Sequence, residues 1–200
     1  MEIINCFTTP LLLTKNKKLL PRLKKYIYNY QVEGIDSNIA PHLKKNLVES
    51  KFNFFCSDNK IIVETTNFIG KSIGELVNEL HAEDCLYEIR FVDSWFHIGK
   101  TNSEHELHGH CNCSWCGVYF VQAGDAGSGE TVFSNPANTN YIDSGNRYLD
   151  QNLSVRIQPE NGLLILFPSH LRHYQALYTG KKDRIVVAFN AQVGIDKNAK

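Results

Sequence analysis

Beyond Asp84 the chain breaks into short apolar runs, and that punctuation limits its fold more than any other feature. Residues 86–98, 115–121, 130–133, 153–157, 163–167, 173–178 and 184–189 are strand-like, with frequent β-branched and aromatic side chains. Gly, Pro, Asn and Asp punctuate them at 124–129, 135–146 and 159–162. Seven short strands at this spacing predict a β-sandwich or barrel.

The first 84 residues have another texture, mostly helical with short strands. Residues 2–13 read as an extended segment interrupted by Pro10. Apolar residues at 19, 20, 23, 27 and 30 make a helical stripe, with Pro21 tolerable only in the first turn. Ser37 and Asn38 offer a cap for a short helix through Val48, with Pro41 near its start. Ser72-Ile-Gly-Glu75 is a capping box that predicts a helix carrying Ile73, Leu76, Val77 and Leu80. With no repeat, low-complexity stretch or evident linker, residues 1–200 read as one domain. Helices from the N-terminal part, 1–84, pack on a β core over 85–192.

Composition narrows the class. The chain is 42% hydrophobic and 21% charged, as in an ordinary globular protein, and no apolar run approaches the ~18 residues of a membrane span. Its start lacks a basic, then apolar, secretory signal, so a cytoplasmic protein is expected. Reduced thiols suit that compartment. Three of the six cysteines, Cys111, Cys113 and Cys116, crowd together without the second knuckle that structural zinc sites generally use. Charges balance at 21 basic and 21 acidic, with a basic excess around Lys15–Lys25. A solvated helix face accounts for that excess, and no aromatic-plus-basic motif points to nucleic acid. There is no G-x-S-x-G elbow and no P-loop.

The chemistry-bearing stretch is His-Glu-Leu-His-Gly-His, residues 105–110, just ahead of the strand at 115–121. Residues two apart on a strand share a face, so His108 and His110 can aim two imidazoles at one point. Imidazole suits iron, zinc, copper and nickel. His173 is the best candidate for a third ligand, following the apolar strand that ends at Pro168. Arg184 lies eleven residues further on, embedded before Ile-Val-Val-Ala-Phe. Its strand places Arg184, Val186, Ala188 and Asn190 on one face. His105 should point away from the pair on a regular strand.

Taken together, His108-Gly-His110, Trp115-Cys-Gly-Val-Tyr-Phe120, Gly129-Glu-Thr-Val-Phe-Ser-Asn-Pro136, Leu164-Ile-Leu-Phe-Pro168, His173 and Arg184-Ile-Val-Val-Ala-Phe-Asn190 resemble the Fe(II)/2-oxoglutarate-dependent oxygenase superfamily. The likeness is nearest to a small branch marked by H-x-H, a distal His and R-I-x-x-A-F-N. It implies a double-stranded β-helix (jelly roll) with N-terminal helices packed on it. It also implies Fe(II) held by His108 and His173, 2-oxoglutarate as co-substrate anchored by Arg184, and O2 as oxidant. Most of the superfamily has Asp or Glu where this chain has His110, so a three-histidine site is expected, with Glu106 or Asp125 as the alternative carboxylate source. Val186 and Phe120 stand where a hydroxyl-bearing residue is common.

The resulting expectation is a non-haem iron dioxygenase of the hydroxylase kind that couples 2-oxoglutarate decarboxylation to C–H oxidation. Its substrate is a small molecule or a protein side chain. Two other readings share the jelly roll: a cupin-like three-histidine dioxygenase or isomerase that does not use 2-oxoglutarate, and a non-catalytic metal-binding jelly roll. Arg184 separates the first from the cupin-like enzyme, since only the 2-oxoglutarate enzyme needs that carboxylate anchor; the non-catalytic reading predicts a metal site with all positions closed, or none.

Overall fold

The computed structural model describes residues 8–30, 44–81, 87–136 and 153–195. Among these residues nine strands form one curled antiparallel sheet: β1 Leu12–Lys15, β2 Lys44–Glu49, β3 Tyr87–His108, β4 Trp115–Gln122, β5 Thr131–Ser134, β6 Ser154–Ile157, β7 Leu163–Pro168, β8 His173–Tyr178 and β9 Arg184–Ile195. The order is β1-β7-β4-β9-β3-β8-β5-β6, with β2 added to β3. The long β3 makes the curl. Its first part, Tyr87 to Gly99, pairs with β9, and its last part, Ser103 to His108, pairs with β8. One strand thereby belongs to both layers of the jelly roll.

Period-two alternation builds two cores from the same strands. On β9, Val187, Phe189 and Ala191 face outward to the helices, while Val186 faces into the curl. On β7, Leu164 and Leu166 face outward, while Leu163, Ile165 and Phe167 face inward. Phe133 of β5 meets Phe167 across the inner space with ring centroids 4.9 Å apart, joining the two layers. Gly117 on β4 is required by crowding. A Cβ there would lie 2.6 Å from Phe189 Cε1 and 3.0 Å from Leu166 Cδ2.

Two helices cover the outer face. Helix α1, Leu20–Tyr28, carries Pro21 in its first turn and buries Leu23 and Ile27. Helix α2, Lys60–Leu80, starts at Asn59, whose side-chain oxygen accepts the Ile61 N–H at 3.0 Å. It buries Ile61, Ile62, Ile69, Ile73, Leu76 and Val77 at three- and four-residue spacing. At about 2 kcal/mol per fully buried aliphatic side chain, this face is a main anchor of α2.

Three local expectations need correction. Ser72 does not start a helix. It lies inside α2, with its hydroxyl donating to the Phe68 carbonyl at 3.0 Å. Residues 44–48 are not helical, because they pair with β3 as β2, where Glu49 stands opposite His97. The strand expected to stop at residue 98 continues to His108. The remainder of the helix expected before Val48, residues 2–7 of the opening segment and most of the 135–146 turn region lie outside the described residues.

Candidate metal centre and co-substrate pocket

His108 is the last residue of β3, His173 is the first of β8, and the two are register partners. His110 follows on the turn that leads to β4. Backbone bonds pin that turn to β9: Ser114 N–H donates to the Ala191 carbonyl at 2.8 Å. The ligand-capable atoms of His108, His110 and His173 all lie within 4.8 Å of one another, close enough to converge on one ion.

Hydrogen bonding selects the tautomer a metal needs. His108 Nδ1 is 2.7 Å from the Glu106 carbonyl, and His173 Nδ1 is 3.2 Å from the Leu171 carbonyl. A carbonyl only accepts, so each Nδ1 carries the proton and each Nε2 keeps its lone pair. Burial also keeps the rings neutral. His108 and His173 are lowered chiefly by desolvation, and His110 is lowered to about 4 by desolvation and the neighbouring His108, against the pull of Asp93. Neutral imidazole is the ligating form, so the donor set fits a divalent transition metal.

His105 departs from expectation. Its ring stacks on His108 with centroids 4.1 Å apart instead of facing away. The β3–β8 register shifts between Ser103 and His105 and again between His105 and His108, and these irregularities break the two-residue period. Glu106 and Asp125 do not join the histidine cluster. Asp125 Oδ1 accepts the N–H groups of Lys181 and Lys182 at 2.8 and 3.2 Å.

A pocket opens beside the histidines. Arg184 lines it and is only 2% exposed. Its Nε donates to the Gly129 carbonyl at 3.0 Å and its Nη1 to Gln175 Oε1 at 2.7 Å, and the guanidinium lies 5.0 Å from the Phe120 ring centroid. Among the described residues no carboxylate forms an ion pair with Arg184. Burial accordingly lowers it to about 9, the mark of a cation that has lost water without gaining an anion. Gln175 is two residues along β8 from His173, a rise of roughly 7 Å. Through its bond to Gln175, Arg184 is tied to the strand that carries His173, and both line the same pocket. Asn190 shares the Arg184 face, but its Nδ2 donates to Asp93 Oδ2 at 3.1 Å.

Sequence reasoning missed several neighbours. Thr131 and Gln175 line the pocket from β5 and β8. His97 lines it from β3, its Nε2 against the Glu49 carboxylate, which Lys44 also contacts. Glu49 is 1% exposed, so this is a buried ionic network. Its ring neighbour is His105, 5.5 Å from His97. The one available signal was the spacing of His97 two residues after Trp95, on the inward face of β3. Cys113 and Cys116 are free thiols with Sγ atoms 3.6 Å apart, both raised by burial, and among the described residues no cysteine enters a metal cluster.

The three histidines, His173 buried and His108 and His110 partly so, line one pocket with Arg184 inside the jelly roll, an arrangement that could hold one metal ion beside an anion. Residues 93–190 match the family described as "Putative 2OG-Fe(II) oxygenase". Over these residues, about half of the chain and including the whole histidine cluster and Arg184, it matches the Fe(II)/2-oxoglutarate-dependent oxygenases, enzymes that use Fe(II), 2-oxoglutarate and O2. Similar folds include HygX from Streptomyces hygroscopicus with nickel and 2-oxoglutarate bound, at TM-score 0.65 and 11% identity, covering 92% of this chain and 83% of that one. A Pseudomonas putida prolyl-4-hydroxylase has TM-score 0.63 and 11% identity over 94% and 95% of the two chains. A Trichoplax adhaerens prolyl hydroxylase in complex with a hypoxia inducible factor peptide fragment has TM-score 0.58 and 13% identity over 92% and 84%. No curated protein matches the sequence.

Proposed function

We propose that His108, His110 and His173 hold Fe(II), that Arg184 holds the far carboxylate of 2-oxoglutarate, and that the enzyme hydroxylates a C–H bond within one domain spanning the chain. The observation that carries this reading is the buried, anion-free Arg184 one strand step from the histidines. Bound iron would supply the redox chemistry, O2 activation coupled to oxidative decarboxylation of 2-oxoglutarate. The protein's residues bind, orient and shelter. Nε2 lone pairs fixed by the Glu106 and Leu171 carbonyls give two ligands of set direction. The guanidinium fork grips a carboxylate with defined geometry and stays charged. Thr131, buried on the pocket wall, offers a hydroxyl that Val186 and Phe120 lack. Phe167, its ring 4.6 Å from His173, keeps water from the back of the centre.

The substrate is a small molecule or a protein side chain. HygX also has a structure with hygromycin B bound, and the Trichoplax enzyme one with a peptide. A cupin-like reaction without 2-oxoglutarate would leave Arg184 without a task. Metal binding to single-alanine variants tests the ligand set. Loss of more than about 100-fold in Ni(II) affinity is expected for each of H108A, H110A and H173A, beyond the roughly 10- to 100-fold that loss of a supporting residue costs. Unchanged affinity in H110A would return His110 to a supporting position.

A further inference from the structure

Among the described residues Arg184 is held only by neutral acceptors, and the chief of these is Gln175. We propose that Gln175 is a positioning residue that aims Arg184 while leaving its charge uncompensated, so that the pocket selects 2-oxoacids bearing a second, distal carboxylate. This inference rests on Arg184 being the co-substrate anchor.

The Gln175 amide has no freedom to turn. Its Nε2 donates to the Ser103 carbonyl at 3.2 Å and lies 3.4 Å from Ser103 Oγ, so its Oε1 must face Arg184 Nη1, at 2.7 Å. Ser103 is fully buried and Gln175 is 8% exposed. Three strands thereby lock one guanidinium: β3 orients the amide, β8 carries it, and β9 carries the arginine. The Gly129 carbonyl accepts a hydrogen bond from Arg184 Nε–H on another side. Every one of these partners is uncharged. Glutamate at 175 has nearly the same shape, yet it would neutralise Arg184 from within and take the place of the ligand's carboxylate. It would also set a carboxylate oxygen against the Ser103 carbonyl. The amide is therefore the group that both orients the cation and preserves its need for an anion.

The test is calorimetric titration of 2-oxoglutarate into anaerobic, Mn(II)-loaded protein, with 2-oxobutyrate, which lacks the distal carboxylate, as the comparison ligand. Q175E is expected to weaken 2-oxoglutarate about 100-fold and to erase most of its preference over 2-oxobutyrate, with Mn(II) affinity retained. Q175M, which keeps the volume but removes the acceptor, should weaken 2-oxoglutarate by about 10-fold while the preference survives. It decides the matter if Q175E does not fold. Wild-type binding in Q175E, or a lost preference in Q175M, would overturn the role of Gln175. R184M separates the two layers of argument: undiminished 2-oxoglutarate binding there would overturn the anchor itself, and with it this inference.

Discussion

The metal-free protein should be acid-labile. His97, His105, His108, His110 and His173 are all lowered from the ordinary histidine range, with desolvation the largest cause in each. Below pH ~6.5 the unfolded chain therefore binds more protons than the folded one, and stability falls as pH falls. For His110 the window runs from the unfolded value down to about 4. Each imidazole kept neutral costs about 1.4 kcal/mol per pH unit within its window. His110, lowered to about 4, alone gives about 1 kcal/mol between pH 6.5 and 5.5, a sizeable share of a typical ~5–15 kcal/mol, and the other four histidines act in the same direction. Urea unfolding of EDTA-dialysed protein, followed by circular dichroism from pH 8 to 5, measures this directly. The midpoint should hold steady above pH 7 and drop steeply below 6.5. Saturating Ni(II) should raise it most at the alkaline end, where the ligands are already neutral. A midpoint that is flat or rising from pH 7 to 5.5 would refute the claim that the histidines are held neutral.

Two substitutions probe the supports of the site. Phe167→Ala, at a residue 1% exposed that touches both Phe133 and His173, should cost about 3–5 kcal/mol in urea unfolding and also weaken Ni(II) binding. A change below about 1 kcal/mol would mean that the inner core repacks freely. Glu49→Ala removes the buried carboxylate contacted by both Lys44 and His97, and should cost about 3–5 kcal/mol. Neutral stability in that variant would show that β2 contributes packing without electrostatics.

How far the sequence could be read depended on whether local pattern and tertiary surroundings agreed. The span 173–178 matches β8 residue for residue, because its first four positions alternate polar and apolar and Arg172 and Thr179 bracket the run. Arg184 stood out because a charged residue opens an otherwise apolar strand. β3 was cut short because Gly99-Lys-Thr-Asn-Ser103 looks like a turn. The chain instead passes through Asn102, at φ 63°, as it crosses from one layer to the other. Residues 44–49 carry no strand alternation, and only pairing with β3 makes them β2. That error hid Lys44 and Glu49. Gln175 and Thr131 escaped notice for another reason: polar residues on strands usually face water, and these face inward because the sheet closes around a pocket.

The central claim is that three histidines and Arg184 form one Fe(II)/2-oxoglutarate site. An anaerobic Fe(II) titration, with and without 2-oxoglutarate, tests it through the visible metal-to-ligand charge-transfer band. The account predicts a band that needs both components, is lost in His173→Ala and is weakened in Arg184→Ala. Iron binding with no such band in the wild-type protein would contradict it.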